Sequence, residues 1–321
     1  MAVSSWTSFV LAILLAFSAE KLYSRLTRKP FTPAKKHCFI TGGSTGLGKA
    51  LAIALVKRGA HVTIVARRQS ELDKAAADIK SSCVNGDQRV VAISADVTSK
   101  DDVVRAFDEA KVKVGCDPDH VFLCAGAASP KLFVEHTMDD FEYANKLNYL
   151  GQVYGAHQAT LRMRDAGVRN GKIVFVSSMA GLISFAGYST YSPTKFALRG
   201  LADSLRNELK MYGIDVHIFL PGNIDSPGYI NENKTKPEVT KVIEGVSAAM
   251  APADCANALI QGLEADHYMI TTEFIAEVLR SATRGVNPSN SFILDTLMAI
   301  IAQPIGSIYA LYMDHVVKHS R

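Results

Sequence analysis

A short apolar run, His37 to Thr41, passes directly into Gly42-Gly43-Ser44-Thr45-Gly46-Leu47-Gly48 and then into an alanine- and leucine-rich helical stretch that reaches Arg58. Strand, glycine turn and helix in that order constrain the fold more than any other feature of the chain. Glycines let a backbone pass close to a pyrophosphate, and a helix amino terminus offers unpaired N–H groups and the positive end of a dipole. The unit reads as a dinucleotide-binding fingerprint and predicts a Rossmann-like, doubly wound α/β fold, a parallel sheet with helices on both faces. A glycine turn without a ligand is the plain alternative. Strand and helix patterns alternate from His37 to about Ile270 with no Pro- or Ser-rich linker, repeat or low-complexity segment. One domain over 34–285 follows, flanked by distinct segments at 1–30 and 286–321.

The second strand, Ala60 to Val65, should carry an acid near its carboxyl end if a ribose 2'-hydroxyl is to be bound. The chain instead reads Val65-Ala66-Arg67-Arg68. An acid would repel a 2'-phosphate and arginine forks pair with one, so Arg67 and Arg68 favour NADPH/NADP+ over NAD(H). A solvated basic helix start is the alternative. Asp96 and Val97, after the strand Val90 to Ser94, are placed to meet an adenine, and Cys124-Ala125-Gly126 closes the next strand where close backbone approach is useful.

Further on stands Tyr191-Ser192-Pro193-Thr194-Lys195, with Ser178 upstream. A hydride arriving at a carbonyl carbon leaves charge on the oxygen, so a proton donor and an oxyanion partner are needed. A phenol at its ordinary pKa of about 10 is a slow donor near neutrality. A lysine one helical turn later lies on the same face, where its ammonium can stabilise a phenolate. A fall of about three units in the tyrosine pKa would correspond to about 4 kcal/mol. Ser177 competes with Ser178, but strand alternation points the two to opposite faces and favours Ser178.

Thr41-Gly42-x-x-x-Gly46-x-Gly48, Asp96, Ala125-Gly126, Asn148, Ser178, Tyr191, Lys195 and Pro221-Gly222 have the order and spacing of the short-chain dehydrogenase/reductase family, which the chain resembles from about Lys35 to Leu279. The resemblance implies that Ser178 and Tyr191 contact a substrate carbonyl. Lys195 would bind the nicotinamide ribose and lower the tyrosine pKa, and Asn148 would hold a water linking the lysine to solvent. Gly42, Ser44, Thr45, Gly46, Leu47, Gly48, Ala125, Gly126, Pro221, Gly222 and Ile224, with Tyr191 and Lys195, would make the cofactor contacts. Many members carry two asparagines before the Ala-Gly where this chain has Leu123-Cys124, which puts a backbone-bracing hydrogen bond in doubt. Within the family the chain resembles the fungal 3-ketodihydrosphingosine reductases, through the glycine turn, Cys124 to Ala127, Phe219 to Gly228 and the tail beyond Thr271. That likeness implies NADPH-dependent reduction of 3-ketosphinganine to sphinganine, with Tyr191 as general acid. The alternatives are a microsomal steroid or retinoid dehydrogenase and, in another class, a membrane-tethered NADP(H)-binding scaffold without turnover.

The net charge of +4 is small and its basic residues are dispersed, which leaves no footprint for a nucleic acid. Cys38, Cys83, Cys116, Cys124 and Cys255 form no Cys-x-x-Cys pair, and Cys38 and Cys124 read as buried strand residues, which argues for reduced thiols and against a metal. His217, in an apolar strand, reads as a core residue.

Both ends are apolar. Phe9 to Phe17 is followed by Lys21, Arg25, Arg28, Lys29, Lys35 and Lys36. A cleavable signal carries its charge before the apolar run; here the charge follows it, as in a retained anchor that keeps the domain cytosolic. Phe292 to Met313 is long enough to span a bilayer, although Asp295, Gln303 and Pro304 interrupt it. A re-entrant or interfacial helix pair hinged at Pro304 is equally compatible, and a buried helix at a homo-oligomer interface is the plain alternative. Together these ends suggest the endoplasmic reticulum membrane and a long-chain lipid ketone. The acceptor pattern Asn233-Lys234-Thr235 is incidental in that orientation. The polar, proline-punctuated segment Asp225 to Glu244 reads as a mobile substrate lid, in which Asp225 or Glu232 would meet a substrate amine.

Overall fold

The computed structural model describes residues 2–28, 31–245 and 248–320. Lys29 of the basic flank lies outside them. Seven strands form one parallel sheet: β1 (His37–Thr41), β2 (His61–Ala66), β3 (Val90–Ser94), β4 (His120–Leu123), β5 (Gly171–Val176), β6 (Ile214–Leu220) and β7 (Met269–Thr271). They lie in the order β3-β2-β1-β4-β5-β6-β7. The helices are α1 (Ala2–Thr27), α2 (Gly46–Val56), α3 (Gln69–Ser81), α4 (Lys100–Val114), α5 (Met138–Asn145), α6 (Gly151–Asp165), α7 (Ser192–Glu208), α8 (Pro227–Thr235), α9 (Glu238–Glu244), α10 (Pro252–Glu264), α11 (Phe274–Thr283) and α12 (Phe292–Lys318). This is the expected Rossmann-like, doubly wound architecture.

The strands read as continuous apolar runs because both faces of the sheet are covered. Cys38 and Ile40 of β1 pack with Leu51 of α2, Leu72 of α3 and Leu259 of α10. Phe39 between them joins Phe107 of α4, Ala159 of α6 and Leu198 of α7. Period-two alternation thus divides one strand between two cores. His217 is a core residue, as expected: its Nδ1 lies 2.8 Å from the His267 carbonyl and burial lowers its pKa to about 3. Cys38 is buried in β1, but Cys124 lies just past β4 and is only partly covered. All five thiols are free.

Three features differ from expectation. The segment read as a loop-like lid folds into α8 and α9, because Pro227 opens the first helix and Pro237 precedes the second, positions where a missing N–H costs nothing. Ser226 caps α8, its Oγ accepting from the Tyr229 amide at 3.2 Å. The tail is not a hinged pair: α12 runs unbroken through Pro304, packed against α9 and α11. Nor is Asp295 an exposed interruption of the apolar run. It is buried against the guanidinium of Arg280 on α11, whose Nη1 and Nη2 donate to it at 2.9 and 2.5 Å, while Arg280 also holds Glu277 at 2.6 Å.

The apolar run Phe9–Phe17 lies within α1, which continues past the first basic residues to Thr27. Glu20 of α1 accepts from the Ser291 hydroxyl at 3.2 Å and from the Phe292 amide, so the two apolar ends meet at the start of α12. Among the described residues, one helix, α12, is long and apolar enough to cross a membrane.

Removing one member of a buried ion pair strands its partner, which costs about 3–5 kcal/mol. Asp295→Ala is therefore expected to undock the start of α12. Limited proteolysis should cut the 284–291 connection much faster than in the unsubstituted protein.

Candidate active site

The glycine turn joins β1 to α2 at the carboxyl edge of the sheet, beside the point where strand order reverses between β1 and β4. Gly42 has φ +67°, and a Cβ there would stand 2.9 Å from the Ala125 nitrogen. A Cβ on Gly48 would stand 2.3 Å from the Gly42 carbonyl oxygen, so only hydrogen fits between turn and helix. Thr45, the residue before α2, is extended and supplies no side-chain cap, which leaves the first N–H groups of the helix for an anion. These residues fit a dinucleotide pyrophosphate.

The turn lines one end of a cavity of about 680 Å³. Ser44, Thr45, Gly46 and Leu47 form that end; Ala125, Gly126, Pro221, Gly222 and Ile224 continue the wall; Ser178, Tyr191 and Lys195 converge on the same space. Ser178 follows β5, and its Oγ accepts from the Ala180 amide at 3.1 Å. Ser177 also borders the cavity, but its hydroxyl is engaged, donating to the Lys195 carbonyl at 3.0 Å. Tyr191 immediately precedes α7, which places Lys195 one turn along the same face.

Burial lowers the Lys195 pKa to about 7. Its Nζ donates to the Val176 carbonyl at 3.0 Å and stands 5.3 Å from the centre of the Tyr191 ring. The expected depression of the phenol is not found. Enclosure pushes Tyr191 well above the usual tyrosine value, the Glu232 carboxylate adds to this, and a hydrogen bond with Ser178 only partly offsets it. A phenol in that state is protonated at neutrality, the form a proton donor requires.

Asn148 is buried in a π turn, Lys146–Leu150, behind the cavity wall. Its Oδ1 accepts from the Ala127 amide and its Nδ2 donates to the Ala127 carbonyl, both at 2.9 Å. The side chain thereby braces the main chain that follows β4. The bracing put in doubt by Leu123-Cys124 is present in another form, since the Ala125 amide also donates to Thr41 Oγ1 at 3.2 Å. Gly126 separates the two side chains: a Cβ there would lie 2.9 Å from Asn148 Oδ1 and 3.4 Å from Lys195 Nζ.

Arg67, Arg68, Asp96 and Val97 stand apart from this wall, at the carboxyl ends of β2 and β3. Both arginines are exposed, and Arg67 reaches the Tyr143 hydroxyl at 3.2 Å. Asp96 Oδ1 accepts from the amide and hydroxyl of Thr98, each at 2.9 Å, while Val97 packs against Gly151. Of the two acids considered for an amine, Glu232 lines the cavity and Asp225 does not.

Sequence reasoning missed Tyr188 and Glu244, which line the cavity beside Glu232, and missed α12 as a wall. Ala302, Ile305, Gly306, Tyr309 and Met313 of α12 face the cavity. Their helical spacing is the signal that would have singled out that face.

The family model described as short chain dehydrogenase matches residues 36–237. This chain belongs to that family. It is 44% identical to a 3-ketodihydrosphingosine reductase of Cryptococcus neoformans over 91% of this chain and 87% of that protein. It is 35% identical to a 3-dehydrosphinganine reductase of Danio rerio, covering 97% of this chain and 93% of that protein. Among solved structures, a short-chain type dehydrogenase/reductase from Mycobacterium ulcerans superposes with a TM-score of 0.65 at 24% identity, over 75% of this chain and 89% of that one, a likeness of fold. As a short-chain dehydrogenase the protein is an NAD(P)-dependent oxidoreductase, and the glycine turn is where its residues fit the dinucleotide.

Gly48→Val should abolish dinucleotide binding, measured by titration calorimetry, because its side chain has no space beside Gly42. Lys195→Met should raise thermal stability while removing activity. The depressed pKa means that the buried ammonium destabilises the fold fully below about 7, and that this penalty fades as pH rises towards the ordinary lysine value of 10.5. The difference in Tm between variant and parent should shrink across that window.

Proposed function

We propose that the chain is an NADPH-dependent 3-ketodihydrosphingosine reductase that converts 3-ketosphinganine to sphinganine in sphingolipid synthesis. The observation that carries the reading is the joint one: relatives named for this reaction match over nine-tenths or more of the chain, and the tail of this chain walls the cavity holding Tyr191. The reduced nicotinamide supplies the hydride. Tyr191 gives its proton to the ketone oxygen, and the Ser178 hydroxyl holds that oxygen as charge develops on it. The Lys195 ammonium, one turn along, offsets the charge left on the Tyr191 oxygen and steadies the nicotinamide ribose. Asn148 keeps the Ala127 main chain in place, and the main chain of its π turn holds the water that links the lysine to solvent.

Arg67 and Arg68 receive the 2'-phosphate, where their exposure leaves both guanidinium groups open to an incoming anion. Asp96 and Val97 border the adenine. The catalytic domain spans 34–285. The segments at 1–30 and 286–321 associate with the endoplasmic reticulum membrane, and the basic residues after Phe17 hold the domain on the cytosolic side. A substrate whose alkyl chain resides in a bilayer suits a cavity with an apolar helix as one wall.

Purified protein should oxidise NADPH when given 3-ketosphinganine, followed by absorbance. Tyr191→Phe should lower that rate by about 100- to 10,000-fold, the usual contribution of a general acid; unchanged turnover would remove Tyr191 from the mechanism. Arg67→Glu with Arg68→Glu should weaken NADPH binding and shift preference towards NADH, read as the ratio of kcat/KM for the two cofactors.

A further inference from the structure

Tyr188 stands one ring from the proposed proton donor, its centroid 6.0 Å from that of Tyr191. Its hydroxyl oxygen lies 2.6 Å from Glu232 Oε1 on α8 and 2.5 Å from Glu244 Oε1 on α9. A phenol has one hydrogen and can donate to one of these oxygens only. The two carboxylates therefore share a single phenol donor. Lys236, between the two helices, places its Nζ 2.8 Å from Glu244 Oε2 and 3.2 Å from Glu232 Oε1, with its side chain 2% exposed. Two carboxylates and one ammonium leave a surplus negative charge in a largely covered place, an arrangement that favours binding a cation.

The orientation of this group gives the surplus a direction. Tyr188, Glu232 and Glu244 line the cavity that holds Tyr191, whereas Lys236 is not on that wall and sits behind them, within 5.8 Å of the Tyr188 ring centre and 5.3 Å of the Tyr229 ring centre. The cavity therefore meets the carboxylate oxygens. Lys236 and Tyr188 fix the two acids in position and leave them short of donors on the open side. Glu232 is near enough to Tyr191 for its charge to act on the phenol.

We infer that Glu232 and Glu244 form a receptor for a primary ammonium on the carbon next to the reacting ketone. This deepens the proposed function and rests on it. In an α-amino ketone the nitrogen lies about 2.5 Å from the carbonyl carbon, one bond angle away. With the carbonyl at Tyr191 and Ser178, the nitrogen lies in the same cavity that Tyr188, Glu232 and Glu244 line, and the Tyr188 ring centre is 6.0 Å from that of Tyr191. The ammonium supplies the charge that the pair lacks and N–H donors for its carboxylate oxygens. Tyr188 and Lys236 are positioning residues; Glu232 and Glu244 read the substrate.

The test compares 3-ketosphinganine with the same long-chain 3-ketone lacking the 2-amino group, each with NADPH, in the full-length protein. The unsubstituted enzyme should favour the amino ketone in kcat/KM by about 10- to 100-fold, the range for a charge-assisted hydrogen bond. Glu232→Gln and Glu244→Gln should each shrink that ratio, and the double substitution should bring it close to one. Equal use of both ketones by the parent, or a ratio unchanged in the double variant, overturns the inference. A second measurement needs neither turnover nor a folded variant: calorimetric binding of dodecylamine and of dodecanol to the NADP+-loaded parent. The amine should bind at least about 10-fold more tightly, and equal affinity overturns the receptor. If neither ketone is reduced, the proposed reaction fails, while the amine-to-alcohol comparison still decides on the receptor.

Discussion

The parallel pairing of β1 with β4 is the contact on which the rest of the molecule depends. Thr41 aligns with Leu123 at the carboxyl end of that pair, and from there the chain leaves β1 towards one face of the sheet and β4 towards the other. Two connections that depart in opposite directions cannot cover the edge between them, so a crevice opens there. The glycine turn forms its near side, and the loops after β5 and β6 bring Ser178 and Pro221-Gly222 to the same edge. The glycine turn, Ser178, Tyr191 and Pro221-Gly222 all reach it from the end of a strand or the start of a helix. The rigidity of a sheet buried on both faces is thereby transmitted to side chains that must be placed within tenths of an ångström.

The cavity also carries charge in unfavourable surroundings. Lys195 is 3% exposed and bonded to a single carbonyl, and Tyr191 is held in its neutral form. Evolution keeps such arrangements where they serve chemistry, since an apolar residue of similar volume would be easier to bury. Gly126 shows how closely the parts are fitted: Asn148 and Lys195 both lie against the place a Cβ would take.

Much of this was legible from the sequence. The glycine turn, β1 and β3 were readable because their patterns are local: a strand covered on both sides is an apolar run, and a turn with positive φ needs glycine. The tyrosine and lysine of the candidate site were readable because a helix brings residues one turn apart together. The rest depended on contacts between distant parts of the chain. Tyr188 meets Glu244 only because α8 and α9 fold back over the loop before α7, with Thr240 Oγ1 bonded to the Ala186 carbonyl at 2.9 Å. Prolines at 227 and 237 look like loop residues in a string, yet in space they begin helices. Asp295 looked like an interruption of an apolar run because its partner, Arg280, belongs to another helix.

That ion pair has a practical consequence. The tail is an obvious place to shorten the chain in search of a more soluble protein, since most of the side chains along α12 face outward. Yet its inner face carries Ile305, Gly306, Tyr309 and Met313, and Tyr309 donates to the Ile243 carbonyl at 3.1 Å, next to Glu244. Cutting after Gly285 would remove a wall of the reaction chamber and strand a buried guanidinium at the new terminus. A soluble version is better sought by exchanging the outward side chains of α12 than by deleting the helix.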